Sequence, residues 1–299
     1  MNKHQFDLGA SLYVPATQSP DALVAIGNGE KYPFLRSIIY CTEDAVRADQ
    51  LSEALQNLRR TLPRLNDEKR PMRFIRVRNP HVLGRMLATH GIEKVDGFVL
   101  PKLTCANLLD YANQLSDQAP FLLMPTLETE EVFDYREMNR LRRMLQKNSR
   151  LRERILCLRV GGNDLLQCLG VRRNPTRSIY DSPIGCLISR LAGEFIPYGF
   201  GLTAPVFESM AHNDVLADEV ECDLDNGLFG KTAIHPDQVA VIEAGFKVSP
   251  MDLEEACRIV APDAPAVFRM NGRMCEPATH ARWAEKIIRR YEIYGVKDQ

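Results

Sequence analysis

Eight short apolar runs, separated by amphipathic helical stretches, constrain this chain more than any other feature. The runs fall at 11–14, 36–41, 73–77, 97–101, 121–127, 155–160, 196–200 and 231–234. Between them apolar residues recur at helical spacing, as with Ala45, Val46, Leu51, Leu55 and Leu58 within 43–62, and again over 82–90, 105–115 and 130–147. Alternating strands and helices imply a parallel sheet, because parallel neighbours need a helical crossover. Eight such units over about 240 residues predict an α/β fold, a closed (β/α)8 barrel. A doubly wound open sheet shares this periodicity and is the alternative. Beyond residue 250 the pattern changes to a helix over 251–260, a proline-rich segment over 261–265 and a second helix over 278–294. This tail shows no strand partner. The expected division is a barrel over 1–250 and a C-terminal helical lid or oligomer arm over 251–299.

A chain of 299 residues buries a full core without a disulfide or metal staple. The net charge of −1, with Lys and Arg spread evenly, excludes the basic footprint of a dedicated nucleic-acid binder. The eight cysteines form no CxxC pair, which argues against structural zinc, and a reducing cytoplasm is the expected setting. The first residues, from Met1 to Asp7, lack the apolar core of a signal peptide. No apolar run approaches the roughly 20 residues needed to span a bilayer.

The active site of a (β/α)8 barrel lies at the carboxyl ends of its strands, so the residues following each run carry the functional reading. These are Glu43 and Asp44 after the second run, Arg76 and Arg78 at the third, Lys102 after the fourth, Glu128 after the fifth, Asp164 after the sixth and His235 after the eighth. Glu128 and Asp164 suit a hard divalent cation, Mg²⁺ or Mn²⁺, completed by waters. The competing reading makes Glu128 part of the next helix turn and Asp164 a helix cap. Arg76 and Arg78 alternate, so one enters the barrel to fork a substrate carboxylate while the other faces the helix layer or rim. Glu43 and Asp44 orient that inward Arg or move a proton, unless they only complement a helix dipole. Lys102 lies near substrate or on the surface. His235 is weighed evenly between a structural and a site role. The run Gly227-Leu228-Phe229-Gly230-Lys231-Thr232 ends like a P-loop, but only two residues separate its glycines where four are needed.

In order, these strand ends resemble motifs of the citrate lyase β-subunit, malyl-CoA lyase and HpcH/HpaI aldolase superfamily. Leu12-Tyr13-Val14-Pro15 resembles "LFVPG", Glu43-Asp44-Ala45-Val46 the end of "DLEDAV", and Val99-Leu100-Pro101-Lys102 "VLPK". Leu127-Glu128-Thr129 is similar to "IET", Gly162-Asn163-Asp164-Leu165 to the start of "GxxDLxxxLG", and the stretch from Gly230 to Val239 to "GKxxIHPxQV". Asn271-Gly272-Arg273-Met274 with Glu276-Pro277 resembles "DGKMxDxP". The resemblance implies a metal-dependent carbon–carbon lyase or aldolase acting through a metal-stabilised enolate on a 2-oxo or 2-hydroxy acid. It implies Mg²⁺ on Glu128 and Asp164, the substrate carboxylate on Arg76, with Glu43 and Asp44 supporting it. It also implies Glu276 as the lid acid and a homo-oligomer, a trimer or multiple of trimers, in which one lid covers a neighbour's site. The expected partner is a small carboxylate, with or without acyl-CoA. Gln18 stands where relatives carry Arg, and 196–205 departs from "DGVYxD". A thioester hydrolase on the same scaffold and a non-catalytic binding subunit are the alternatives.

Overall fold

Parallel pairing joins eight strands into one sheet: β1 (Ala10–Pro15), β2 (Ser37–Cys41), β3 (Met72–Arg76), β4 (Gly97–Leu100), β5 (Leu122–Leu127), β6 (Leu158–Val160), β7 (Leu202–Thr203) and β8 (Lys231–Ala233). This computed structural model describes residues 3–68, 70–116 and 120–297. The order runs from β7 down to β1 and then to β8. A parallel bridge between Ala204 and Lys231, with Ala204 N–H donating to Gly230 at 2.8 Å, joins β7 to β8 and closes the ring. The crossover helices are α1 (Pro20–Gly27), α2 (Leu51–Thr61), α3 (Pro80–Leu87), α4 (Leu108–Gln114), α5 (Tyr135–Lys147), α6 (Ser149–Arg152), α7 (Gly162–Cys168), α8 (Pro183–Phe195) and α9 (Asn213–Asp225). The fold is therefore the (β/α)8 barrel.

Alternation along the strands sorts the barrel interior into layers. Leu8, Ile39, Met72, Phe74, Val99, Met124 and Cys157 pack together as one apolar plug. Two residues further on, the same faces carry Cys41, Arg76, Thr126 and Arg159, which line a cavity of about 510 Å³. The apolar layer thus supports a polar one nearer the carboxyl ends of the strands.

Three sequence expectations are corrected. The seventh strand is not 196–200: that stretch holds a 3₁₀ turn over Ile196–Tyr198, and the strand is the two-residue Leu202–Thr203. Pro197 has no N–H to give a ladder and continues the helical turn from α8 instead. Helix α2 begins at Leu51, not at 43: the Val46 N–H closes only a single turn onto the Glu43 carbonyl, and the Arg78 guanidinium donates to the carbonyls of Thr42, Glu43 and Val46, which holds 42–46 as a loop. The tail, expected without strands, contains an antiparallel hairpin.

Two compact units divide the chain, Met1–Val239 and Ala240–Gln299. The boundary falls within α10 (Asp237–Phe246), and the second unit continues with α11 (Pro250–Ile259), a hairpin of β9 (Phe268–Met270) and β10 (Arg273–Cys275), and α12 (Pro277–Tyr294). Asn271 and Gly272 turn the hairpin with φ of 50° and 78°, the left-handed pair that a two-residue hairpin loop requires. Val248, Ala256, Ile259, Cys275, Ala284 and Ile287 form this unit's own core. Among the described residues no helix is long and apolar enough to cross a membrane.

Candidate active site

Arg76 ends β3, is 6% exposed, and faces the barrel interior. Its Nη2 stands 2.9 Å from Glu43, 2.9 Å from Asp44 and 3.1 Å from Glu128. Burial opposes its charge, but Tyr13 and the three carboxylates raise its pKa further, so it stays a cation. Its Nε is buried without a hydrogen-bond partner among the described residues. Arg78 sits at the rim, as expected of the alternate residue, and grips the Thr42–Val46 loop that carries Glu43 and Asp44. Thr42 closes the other side of that loop, its hydroxyl donating to the Arg76 carbonyl at 2.8 Å.

Lys102 adopts φ of 51°, a left-handed conformation uncommon for a residue other than glycine. That backbone turns its N–H onto Glu128 at 2.8 Å while its Nζ reaches Glu43 at 2.6 Å, Asp44 at 3.3 Å and Asp164 at 3.6 Å. Asn107 secures the turn by donating to the Lys102 carbonyl at 2.8 Å. Burial works against the ammonium, but the hydrogen bond to Glu43 and the surrounding carboxylates raise its pKa. A protonated amine is no nucleophile, which disfavours a Schiff-base role.

Four carboxylates therefore surround two cations, Arg76 and Lys102. The imbalance shows in their acidity. Burial raises Glu128 to about 7, against the pull of Arg76 and with the charge of Asp164 adding to the rise. Asp164 is raised too, by burial and then by Asp44. Burial and the hydrogen bond shared with Asp44 raise Glu43; burial also acts on Asp44, but that hydrogen bond, Arg76 and Lys102 outweigh it and lower its pKa. Of this pair, Glu43 holds a proton more readily.

Glu128 follows β5 directly and is 3% exposed, while Asp164 lies in the first turn of α7, whose N-cap is Gly161. A Cβ at Gly161 would lie 2.4 Å from both the Cβ and Oε2 of Glu128, so the glycine makes room for that carboxylate. Among the described residues no cluster of three or more His, Cys, Asp or Glu side chains forms a ready metal cage. The donor set fits Mg²⁺, which commonly takes one or two carboxylates and fills its octahedron with water and substrate oxygens. Surplus negative charge and hard oxygen donors point the same way.

The structure thus brings Glu43, Asp44, Arg76, Lys102, Glu128 and Asp164 into one cluster. His235 is 41% exposed at the side chain and accepts from the Asp237 N–H at 3.3 Å. Glu276 belongs to the second unit, where it precedes α12 and accepts from the Thr279 hydroxyl at 3.0 Å. Sequence reasoning missed Tyr13, Thr126, Arg159 and Thr232, which also line the cavity. A signal existed for Arg159: a lone charge between Leu158 and Val160 in an apolar run.

Comparison with known proteins agrees with this architecture. The CitE protein of Mycobacterium tuberculosis, solved with magnesium, acetoacetate and coenzyme A, superposes with a TM-score of 0.70 at 19% identity, covering 95% of this chain and 98% of that one. A citrate lyase from Burkholderia xenovorans LB400 gives 0.76 at 14% identity, covering 97% of this chain and 93% of that one. At these identities the likeness shows the fold. The (3S)-malyl-CoA thioesterase of Cereibacter sphaeroides is 29% identical over 228 residues, 75% of this chain and 74% of the relative. The family model for the C-C bond lyase of the TIM-barrel fold matches residues 2–296, and with nearly the whole chain covered the protein belongs to that carbon–carbon bond lyase family.

Proposed function

We propose that this protein is a Mg²⁺-dependent carbon–carbon lyase or aldolase acting on a 2-oxo or 2-hydroxy acid. The observation that carries the reading is the cluster at the barrel mouth, where Glu43, Asp44, Glu128 and Asp164 converge on only two cations. Glu128 and Asp164 are the residues that would hold Mg²⁺; the M. tuberculosis neighbour was solved with magnesium and a small oxo acid. Bound there, the cation would supply positive charge where negative charge develops on the substrate as the C–C bond breaks or forms. Arg76 forks the substrate carboxylate, with Glu43 and Asp44 fixing its plane. Lys102 balances the carboxylates and holds Glu128 in place through its N–H. Glu43, the readier of the acidic pair to carry a proton, takes the proton of the substrate hydroxyl as its carbon becomes a carbonyl and the C–C bond breaks, and returns it to the carbon released.

A second reading rests on the thioesterase relative: hydrolysis of an acyl-CoA on the same scaffold, with water as the attacking group. Product analysis separates the two. Incubation of malyl-CoA and citryl-CoA with Mg²⁺ yields acetyl-CoA and an oxo acid under lyase chemistry, whereas free CoA with an intact carbon skeleton would replace the lyase reading by the hydrolase. We extend the same reading to the second unit: Glu276 serves as the acid of a lid over a neighbouring copy's site in a trimer. Light scattering that returns a monomer at micromolar concentration would remove that extension.

A further inference from the structure

Arg159 is 5% exposed, lies on the inward face of β6 and lines the cavity, yet no Asp or Glu among the described residues pairs with it. Among the described residues the other buried guanidiniums meet carboxylates, at Arg76, Arg142 and Arg173, or backbone carbonyls, at Arg73. Arg159 has the Thr232 hydroxyl, which accepts from its Nη2, and a 3.9 Å contact to the Met124 sulfur. Its register neighbours are Thr126 on β5 and Thr203 on β7. Parallel neighbours in register face the same side, so both threonines point inward with it. Both of their hydroxyls are buried without a hydrogen-bond partner among the described residues. A buried charge without a counter-charge and two orphaned hydroxyls beside it are costly, and native proteins keep such groups where something else completes them.

The placement of Arg159 relative to Arg76 indicates what completes it. The two guanidinium carbons stand 5.7 Å (Arg76) and 5.9 Å (Arg159) from the centre of the Tyr13 ring. Arg76 is surrounded by carboxylates, and Arg159 by none. We propose that Arg159, with Thr126 and Thr232, forms a second anion-binding subsite in the cavity, so that the small acid taken here carries a second carboxylate. The proposal rests on the reading that Arg76 and a divalent cation hold the first. A four-carbon diacid can then meet one guanidinium at each end, each contact a charge-assisted pair in a site shielded from water.

Lactate and malate form a matched test, since malate is lactate with a second carboxylate added. Calorimetric titration with Mg²⁺ present is carried out on wild type, Arg159→Met and Arg159→Lys. Wild type is expected to bind malate at least about tenfold more tightly than lactate. Arg159→Met is expected to lose about tenfold or more toward malate while lactate binding stays within about threefold. Its ligand-free melting temperature is expected to be equal or higher, because removing an unpaired buried charge relieves a cost. Arg159→Lys keeps the charge without the fork, and a selective fall in malate affinity there supports the subsite even if the Met variant does not fold. Equal binding of the two acids by wild type, or parallel loss of both in each variant, overturns the subsite and leaves the Arg76 reading standing. Failure of wild type to bind either acid overturns both.

Discussion

Replacing Arg76 by Lys separates geometry from charge at the centre of the carboxylate cluster. One guanidinium nitrogen lies within 3.1 Å of three carboxylates, from Glu43, Asp44 and Glu128. An ammonium on a flexible stem keeps the positive charge but has no plane with which to hold those partners and also fork a substrate. Losing a bidentate ionic contact whose partner stays buried costs on the order of 2–5 kcal/mol. That corresponds to a drop in affinity of about 30-fold to several thousand-fold. Titration of pyruvate and glyoxylate with Mg²⁺ present reads the loss, and far-ultraviolet circular dichroism checks that the barrel is intact. Wild-type affinity in a folded Arg76→Lys protein would refute the carboxylate clamp.

Three further outcomes follow from particular contacts. Gly161→Ala places a methyl 2.4 Å from the Cβ of Glu128, a position that cannot swing aside, so overpacking of about 1–3 kcal/mol should lower the melting temperature and weaken Mn²⁺ binding together; an unchanged melt and titration would contradict the crowding argument. Arg78→Lys leaves loop carbonyls of Thr42, Glu43 and Val46 short of donors, and urea unfolding should show a loss of about 1–3 kcal/mol, with no loss meaning that the loop needs no such clamp. Burial opposes ionisation of Asp96, but hydrogen bonds from Arg70, Lys3 and the Arg73 N–H outweigh it and lower its pKa. A depressed folded value gives stability that is present above the unfolded value of about 3.9 and is lost as pH falls through the folded one. Asp96→Asn should therefore be less stable than wild type at pH 7, with the gap closing in acid; a gap constant down to pH 2 would sink this.

Local pattern revealed the parts of this molecule that repeat and hid those that depend on partners far along the chain. Seven strands were visible because each is an apolar run; β7 was not, since two residues between Gly201 and Ala204 carry no pattern, while Ile196–Phe200 imitated one. The hairpin of the tail was signalled by Asn271-Gly272 between short apolar stretches, but that pair read more readily as part of a motif. The acidic and basic residues of the site were legible because each lies at or just beyond the carboxyl end of a strand, and a barrel gathers strand ends. Arg159 lies within its strand, where only register with Thr126 and Thr203 gives it meaning. The same holds for Lys231. The sequence shows it only as part of a motif opening the eighth run, yet it is buried against Glu219 and Asp223 of α9 at 2.8 and 2.9 Å, and Glu219 in turn binds Arg173. Arg73 is likewise fully buried outside the barrel interior, where its guanidinium meets the carbonyls of Gly27, Asn66 and Lys94. Such networks join helix, strand and loop, and no periodicity announces them.

The central claim is that Glu128 and Asp164 hold one divalent cation beside Arg76. Anomalous diffraction from crystals grown with Mn²⁺ tests it most directly, on wild type and on Glu128→Gln. The account predicts a single strong peak within about 2.0–2.3 Å of an oxygen of each carboxylate in wild type, with its loss in the variant while the fold is unchanged. A peak elsewhere in the barrel, or none near these two residues at millimolar Mn²⁺, would contradict it.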